Sequence, residues 1–244
     1  MDKEHAHGAG HHEGHTATRR KLDVQPETVR AGVETKIQMS IPAEDGQLVK
    51  DFKESHEAKL HLIIVREGLD QFAHLHPDVD AESGQLTVQH TFEVGGNYYF
   101  FADFREADGT AGIATGKLAV AGDAPAAPKL IPNVPGKLTT DKLTAQITVA
   151  GVKAGEETTI HFELSTPDGK PVSDLEPYMG AMGHLNAISA DATQFVHAHP
   201  SDGAGPKNRV TFAAKFEKPG IYKAWGQFKR GGQVQIVPLV VQVE

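Results

Sequence analysis

The feature that most constrains the fold of this chain is an internal repeat. The heptapeptides QFAHLHP (71–77) and QFVHAHP (194–200) share five of seven residues. At the same offset, His61 aligns with His184, and an Asp-Gly turn signal recurs in both halves. A chain of 244 residues is long enough for two domains of about a hundred residues each. The repeat therefore predicts a duplicated domain.

Each half consists of short alternating runs that end at turn signals. KIQMSI is followed by AEDG, KLHLIIV by REGLD and TIHFEL by STPDG. Apolar residues with a period of two predict β-strands, and no segment keeps the i, i+3, i+4 spacing of an amphipathic helix. We therefore expect an all-β protein with two tandem antiparallel β-sandwich domains. About seven strands per copy suit either an immunoglobulin-like or a cupredoxin-like topology.

Changes in composition along the chain indicate four segments. Residues 1–20 hold five histidines among small and polar residues, which predicts a disordered His-rich tail that binds metal weakly. The stretch GDAPAAPKLIPNVPG is rich in proline and alanine and predicts a semi-rigid linker. The predicted order is thus a tail (1–20), a first sandwich (21–121), the linker (122–136) and a second sandwich (137–244).

Charge and cysteine content exclude several classes of protein. The net charge is -8, and no basic cluster interleaves with aromatic residues, so nucleic acid is not an expected partner. No apolar run reaches the roughly 18 residues of a membrane span, so no transmembrane segment is predicted. The absence of cysteine excludes disulfides, iron–sulfur clusters, thiol nucleophiles and the His/His/Cys site of blue-copper proteins.

The repeated histidines have the spacing of metal ligands. Side chains at i and i+2 of a strand share a face, so His74 and His76 present two imidazoles side by side, as do His197 and His199. A third histidine lies 13 residues before each pair. A hairpin would gather three imidazoles per domain, which suits copper or zinc. The alternative is that the motif is a fold signature whose imidazoles bond backbone carbonyls.

The two copies diverge just before the third histidine. His56 in the first copy is replaced by Met179 in the second, with Met182 close by. Thioether sulfur selects Cu(I), whereas an all-imidazole set suits Cu(II), zinc or nickel. We therefore predict a His-only site in the first domain and a Met/His copper site in the second. The candidate ligands are His56, His61, His74 and His76, and Met179, Met182, His184, His197 and His199.

The segments Tyr178–His184 (YMGAMGH) and HLxxIxxDxxxFxHxHP (184–200) resemble those of a family of bacterial secreted or membrane-anchored β-sandwich proteins. Members of that family carry motifs of the form YLGAMGH followed by HVHP and are commonly associated with copper or heavy-metal handling. The resemblance covers about residues 168–200 well and 45–77 less well. It implies a periplasmic, secreted or cell-surface copper-binding protein and does not imply an enzymatic activity.

Four functions are compatible with this sequence. The leading hypothesis is a protein that sequesters copper or delivers it to a membrane transporter or another metallochaperone. The alternatives are a copper-dependent redox enzyme of the superoxide-dismutase or oxidase type, a zinc- or nickel-binding protein, and a tandem adhesive module with structural histidines. A hydrolase is the least favoured function, because G-x-S-x-G, H-E-x-x-H and a thiol nucleophile are absent. Metal affinity should fall below a pH of about 6.5, since imidazole ligates only when neutral.

Overall fold

The computed structural model describes residues 17–55, 57–198, 200–201 and 206–244. Within these ranges every regular element is a β-strand, which confirms the predicted all-β class and the two tandem domains. The described residues include no helix with the length and apolar character needed to cross a bilayer.

The first domain consists of two packed sheets. One has the strand order β1-β11-β10-β6-β7, with β3 on β11 and β5 on β10, and the other has the order β2-β4-β9-β8. The strands are β1 (Thr18–Lys21), β2 (Asp23–Gln25), β3 (Thr28–Arg30), β4 (Glu34–Ser40), β5 (Phe52–Lys53), β6 (Leu60–Arg66), β7 (Phe72–Leu75), β8 (Asp78–Val79), β9 (Leu86–Thr91), β10 (Gly96–Glu106) and β11 (Ala111–Ala121).

The second domain repeats this plan. Its sheets have the orders β12-β13-β14-β18 and β15-β19-β16-β17, with β20 on β19. The strands are β12 (Gly136–Thr139), β13 (Thr144–Val149), β14 (Glu157–Ser165), β15 (Leu175–Glu176), β16 (His184–Ser189), β17 (Phe195–Ala198), β18 (Arg209–Lys215), β19 (Gly220–Arg230) and β20 (Gln233–Val243). The described strands exceed the expected seven per copy because short edge segments of two to four residues add to the long central ones.

Each domain has its own hydrophobic core, built from alternating residues of both sheets. Ile37 and Met39 of β4 are buried in the first core, and Ile160 and Phe162 of β14 take the same place in the second. The Gly-x-Tyr repeat also has the same role in both copies. The Tyr98 hydroxyl donates to the carbonyl of residue 94, and the Tyr222 hydroxyl donates to that of residue 218. Such a bond is typical of the corner of an antiparallel sandwich.

Strand β6 is buried on both faces, and the second domain explains why. Leu62 and its alternate neighbours enter the core of the first domain, whereas Ile63 and Val65 point out of the sandwich. There they join Phe101, Ile188 and Trp225 in a third apolar cluster made by both domains. The central sheets of the two domains therefore pack together through their outer faces, and we call this third cluster the interdomain core.

Two symmetry-related aromatic stacks hold the interdomain core. Phe72 stacks on Trp225 with ring centroids 4.4 Å apart, and Phe101 stacks on Phe195 at 5.3 Å. Phe101 and Trp225 occupy equivalent places in the repeat, as do Phe72 and Phe195. Each domain thus contributes the same two positions, as in a two-fold symmetric dimer fused into one chain.

The predicted linker is attached to both domains. The Arg66 guanidinium donates to the carbonyl of Pro125, and Leu130 packs against the interdomain core. Asn133 exchanges hydrogen bonds with the backbone of Val240, at 2.8 and 3.1 Å. These contacts fix the segment along the domain junction, which a free spacer would not do.

The beginning of the first domain differs from the predicted boundary. The histidines of the predicted tail lie outside the described residues, but Thr18, Arg19 and Arg20 belong to β1. This strand pairs in parallel with β11, and Arg20 forms an ion pair of 2.6 Å with Glu106. The sandwich thus begins before residue 21, because a polar edge strand carries little of the apolar periodicity that signals a strand.

Candidate metal centre

Five of the predicted ligands share one surface, the outer face of the two central sheets. In the first domain His61 lies on β6, His74 on β7 and His76 directly after β7. In the second domain His184 begins β16 and His197 lies on β17. Because β6 pairs with β7 and β16 with β17, each hairpin brings its histidines together as the sequence predicted. His56 and His199 lie outside the described residues.

The two hairpins face each other across the domain junction, so their histidines form one cluster. Within the first domain, the ring centroids of His61, His74 and His76 lie 4.9–5.3 Å apart. Across the junction, the His61 ring lies 5.1 Å from that of His197 and 6.1 Å from that of His184. The His74 ring lies 5.9 and 5.8 Å from the same two rings. We call these five residues the histidine cluster.

The upstream histidines, His61 and His184, each contact a backbone carbonyl. Because a carbonyl can only accept a hydrogen bond, this contact determines the tautomer of the ring. The Nε2–H of His61 donates to the carbonyl of Ser55 at 3.2 Å. The Nε2–H of His184 donates to the carbonyl of Tyr178, the equivalent residue of the repeat, at 2.9 Å. When neutral, each ring then carries its lone pair on Nδ1. In both domains this atom points toward the downstream histidine.

The downstream histidines have the opposite tautomer, and each is oriented by the other domain. The Nδ1–H of His197 donates to the carboxylate of Asp103 in the first domain at 2.7 Å. The Nδ1–H of His74 donates to Oε1 of Gln227 in the second domain at 2.8 Å. That oxygen is defined as an acceptor because it also receives the Nδ2–H of Asn186 at 3.2 Å. The lone pairs of His74 and His197 are therefore on Nε2.

Lone pairs consequently face each other inside the cluster. Nδ1 of His61 lies 3.1 Å from Nε2 of His74, and Nδ1 of His184 lies 3.4 Å from Nε2 of His197. Nε2 of His76 lies 3.2 Å from Nδ1 of His61. Donors bound about 2.0–2.1 Å from a tetrahedral zinc or copper ion are themselves about 3.3–3.4 Å apart. Within each hairpin, the nitrogen atoms therefore have separations close to those that a metal cation bound by that hairpin would impose.

Protonation of His74 and His76 is unfavourable in the folded protein. Burial, together with the neighbouring His197, lowers the pKa of His74 well below its ordinary value. Burial and the adjacent His61 lower the pKa of His76 from 6.5 to about 4. At neutral pH both imidazoles are therefore uncharged, which is the form that binds metals. The donor set of the first domain, His61, His74 and His76, has its ligand atoms within 4.8 Å of one another.

Both halves of the chain match one family of sequences. The model of a domain of unknown function, DUF8832, matches residues 15–122 and again 138–244. The chain belongs to this family. The two matches correspond to the two sandwiches, so the histidine cluster of this DUF8832 protein lies between two copies of one family domain. No curated protein matches the sequence.

Solved structures match the chain over most of its length at low similarity. The Escherichia coli adhesin FdeC is 14% identical over 94% of this chain and 65% of its own, with a TM-score of 0.31. A bacterial ice-binding adhesin is 7% identical over 94% and 66%, with a TM-score of 0.30. InvD of Yersinia pseudotuberculosis is 13% identical over 92% and 58%, with a TM-score of 0.29. This chain thus spans less than two thirds of each, and similarities this low carry no statement about activity.

Two of the four methionines of the DUF8832 chain lie beside the cluster in sequence, and Met182 is more exposed than the histidines. Met179 and Met182 belong to the turn that follows Tyr178, where the backbone of Met179 has a φ of 51°. The side chain of Met182 is among the exposed large hydrophobic residues at 42%, whereas His184 is fully buried. The Tyr178 ring packs edge-on against His184, with centroids 5.4 Å apart. Participation of the thioethers in metal binding remains a prediction.

Sequence reasoning missed the residues that orient the imidazoles. Asp103 and Gln227 occupy equivalent positions in the repeat, one residue before the aligned Phe104 and Phe228. A carboxylate and an amide at equivalent positions carry no metal-binding spacing, so nothing in the pattern singles them out. Only the packing of one domain on the other brings each beside a histidine of its partner.

Proposed function

We propose that this protein binds copper at the histidine cluster and either sequesters the metal or delivers it to another protein. The observation that carries the proposal is that imidazole lone pairs face each other within each hairpin and that the rings of the two hairpins meet across the junction. Four tautomers are fixed by acceptors on the outer side of the rings, so the lone pairs point inward at 3.1–3.4 Å. If the histidines served only to stabilise the fold, one hydrogen bond per imidazole would be enough. The remaining nitrogens would then have no reason to point toward one another.

Copper is the metal we favour for chemical reasons. Imidazole suits copper, zinc and nickel, and among divalent first-row ions a given nitrogen site binds Cu(II) most tightly. Hard cations such as magnesium and calcium require oxygen ligands and do not match the cluster. The chain has no cysteine, so a thiolate cannot redirect the preference toward zinc or iron–sulfur clusters. Zinc is the competitor that an experiment has to exclude.

The proposed location is outside the cytoplasm, at the cell surface, in the periplasm or in the medium. This part of the proposal rests on the resemblance of the segments YMGAMGH (178–184) and QFVHAHP (194–200) to secreted metal-handling proteins. A membrane transporter or a metallochaperone would then donate or receive the metal. Fractionation of the native host should recover the protein with the extracytoplasmic material. Recovery in the cytoplasmic fraction would contradict the location without affecting the metal site.

Competition titration tests the copper site. The full chain is titrated with Cu(II), with Cu(I) under anaerobic conditions and with Zn(II), each against a chelator strong enough to strip loose sites in the histidine-rich segment. We expect one or two tightly bound copper ions per chain and weaker binding of zinc. His74→Ala combined with His197→Ala should abolish the tight binding.

His161→Ala is the matched control for this titration. His161 is half-buried and bonds Thr211 at 2.8 Å, outside the histidine cluster. The control should therefore bind copper as the parent does. Equal copper affinity of parent and double variant would contradict the proposal, and so would a parent that binds zinc more tightly than copper.

A tandem adhesive module is the second candidate function. The arrangement that favours it is the firm docking of two sandwiches through the interdomain core, with the linker attached to both. In that case the cluster would be a structural feature and metal would not change the stability of the protein. A thermal midpoint that is equal with copper, with zinc and with chelator would support this alternative.

A further inference from the structure

Two residues on the long central strands act across the domain junction. Asp103 lies on β10 directly opposite His61, and Gln227 lies on β19 directly opposite His184. Across the junction, Asp103 accepts from His197 and Gln227 accepts from His74, at 2.7 and 2.8 Å.

We propose that Asp103 and Gln227 are positioning residues which set the donor strength of His197 and His74, with Asp103 making His197 the strongest donor of the cluster. This inference rests on the proposed copper site. Each domain supplies the ligands of its own hairpin and also the acceptor that orients a ligand of the other. The centre is therefore complete only when the two domains are docked.

The chemistry of the two acceptors explains why we expect His197 to be a stronger donor than His74. A carboxylate that accepts the Nδ1–H of an imidazole fixes its tautomer and increases the electron density on Nε2, which strengthens the bond to a metal. An amide oxygen fixes the same tautomer without supplying a negative charge. Loss of such an outer partner typically weakens metal binding by about 10–100-fold.

Burial supports a specific role for both contacts. The side chain of His197 is 3% exposed and that of Asp103 is 29% exposed, so their bond is shielded from solvent on the histidine side. Gln227 is 2% exposed, and its oxygen is held in place by Asn186, which is fully buried. A second acceptor orientation is therefore not accessible to Gln227 without breaking the bond from Asn186.

Isosteric substitutions of Asp103 and Gln227 change the charge of the acceptor while keeping its shape. Asp103→Asn keeps an oxygen acceptor of similar size and removes the charge, whereas Gln227→Glu adds a charge at the equivalent position. We expect Asp103→Asn to lower the Cu(II) affinity severalfold and Asp103→Ala to lower it about 10–100-fold. Gln227→Glu should raise it.

The measurement is Cu(II) titration of the full chain against a competing chelator, with the electron paramagnetic resonance spectrum of the copper-loaded protein recorded in parallel. The spectrum should change in Asp103→Asn, because the donor strength of a directly bound imidazole changes. Ile37→Val is the control, since Ile37 is buried in the core of the first domain and lies outside the interdomain core and the histidine cluster. It should leave the spectrum unchanged even if it lowers the thermal midpoint.

The possible outcomes distinguish this inference from the proposed function. A parent that binds copper while Asp103→Asn and Asp103→Ala keep its affinity and spectrum would overturn the positioning role and leave the copper site intact. A parent that binds no copper would overturn both. Lower affinity in both Asp103 variants, a changed spectrum in Asp103→Asn and an unchanged spectrum in Ile37→Val would establish the inference.

Discussion

In the first domain Ile63 lies beside His74 on the neighbouring strand, whereas the equivalent pair in the second domain is Asn186 and His197. The outer acceptors differ in the same way, with Asp103 facing His197 and Gln227 facing His74. The hydrogen bonds from the upstream imidazoles to backbone carbonyls are the same in both halves. Duplication has thus preserved the direction of the lone pairs while the polarity around them has diverged.

The comparison separates the features of the cluster that both halves share from those that differ. In both halves a backbone carbonyl and the hairpin register orient the donors. The polar character beside the rings differs between the halves, and an acceptor contacts the outer nitrogen of His74 and of His197. The two halves should therefore share their metal-binding geometry and differ in strength, which the following predictions test in order of expected effect.

The largest effect is expected at the interdomain core. Trp225→Ala removes the larger ring of the tighter stack and should lower the free energy of unfolding by about 3–5 kcal/mol. Phe101→Ala, at the equivalent position, should cost less because its ring is smaller and its stack is wider. Chemical denaturation of both variants measures the difference. Trp225→Phe is the control and should recover most of the loss, and equal costs for both alanine variants would contradict the ranking.

The second effect concerns the upstream histidines. His61→Ala should lower copper affinity by more than about 100-fold, because a direct ligand contributes more than the outer partners that account for about 10–100-fold. His184→Ala should cost less, since the His184 ring lies farther from those of the first domain. Chelator competition measures both affinities. A greater loss in His184→Ala would show that the second domain holds the primary site.

The third effect is a dependence of stability on pH that comes from the first domain. The folded chain keeps the pKa of His76 near 4, whereas the unfolded chain has the ordinary value of 6.5. Below pH 6.5 the unfolded chain takes up a proton that folded His76 does not bind, so His76 lowers the stability of the metal-free protein until the pH reaches about 4. The pKa of His74, which burial also lowers, adds to the loss in the same direction.

Because His76 is half-buried, solvent screening should limit its share of this loss to about 1–2 kcal/mol. Thermal midpoints between pH 7.5 and 4.5 measure it. His76→Gln should have a flatter profile over the same range. An equally steep profile in the variant would assign the pH dependence to other groups.

The smallest effect is expected at the methionines of the second half. Met179→Ala combined with Met182→Ala should leave Cu(II) affinity within about threefold, because the proposed Cu(II) ligands are imidazoles. Cu(I) affinity should fall severalfold if the thioethers bind the reduced ion, since soft sulfur prefers Cu(I). Parallel titrations with both oxidation states measure this. Unchanged Cu(I) affinity would contradict the predicted Met/His site.

Much of the local structure could be predicted from residue patterns. Alternation in runs such as KLHLIIV and the repeat of QFxHxHP predicted the strands, the duplication and the hairpins that gather the histidines. These are local properties, because a strand has a period of two and a short turn fixes the pairing of its neighbours. The edge strand at Thr18–Lys21 escaped prediction because its polar side chains carry no such signal.

The spacing of the histidines predicts that each domain carries a set of them on one face of a hairpin. The two sets meet because of domain packing, since the face of β6 bearing His61, Ile63 and Val65 is covered by the second domain rather than by solvent. Docking of two sheets depends on long-range complementarity of their outer faces, which no local period encodes. The acceptors Asp103 and Gln227 belong to the histidines of the opposite domain for the same reason.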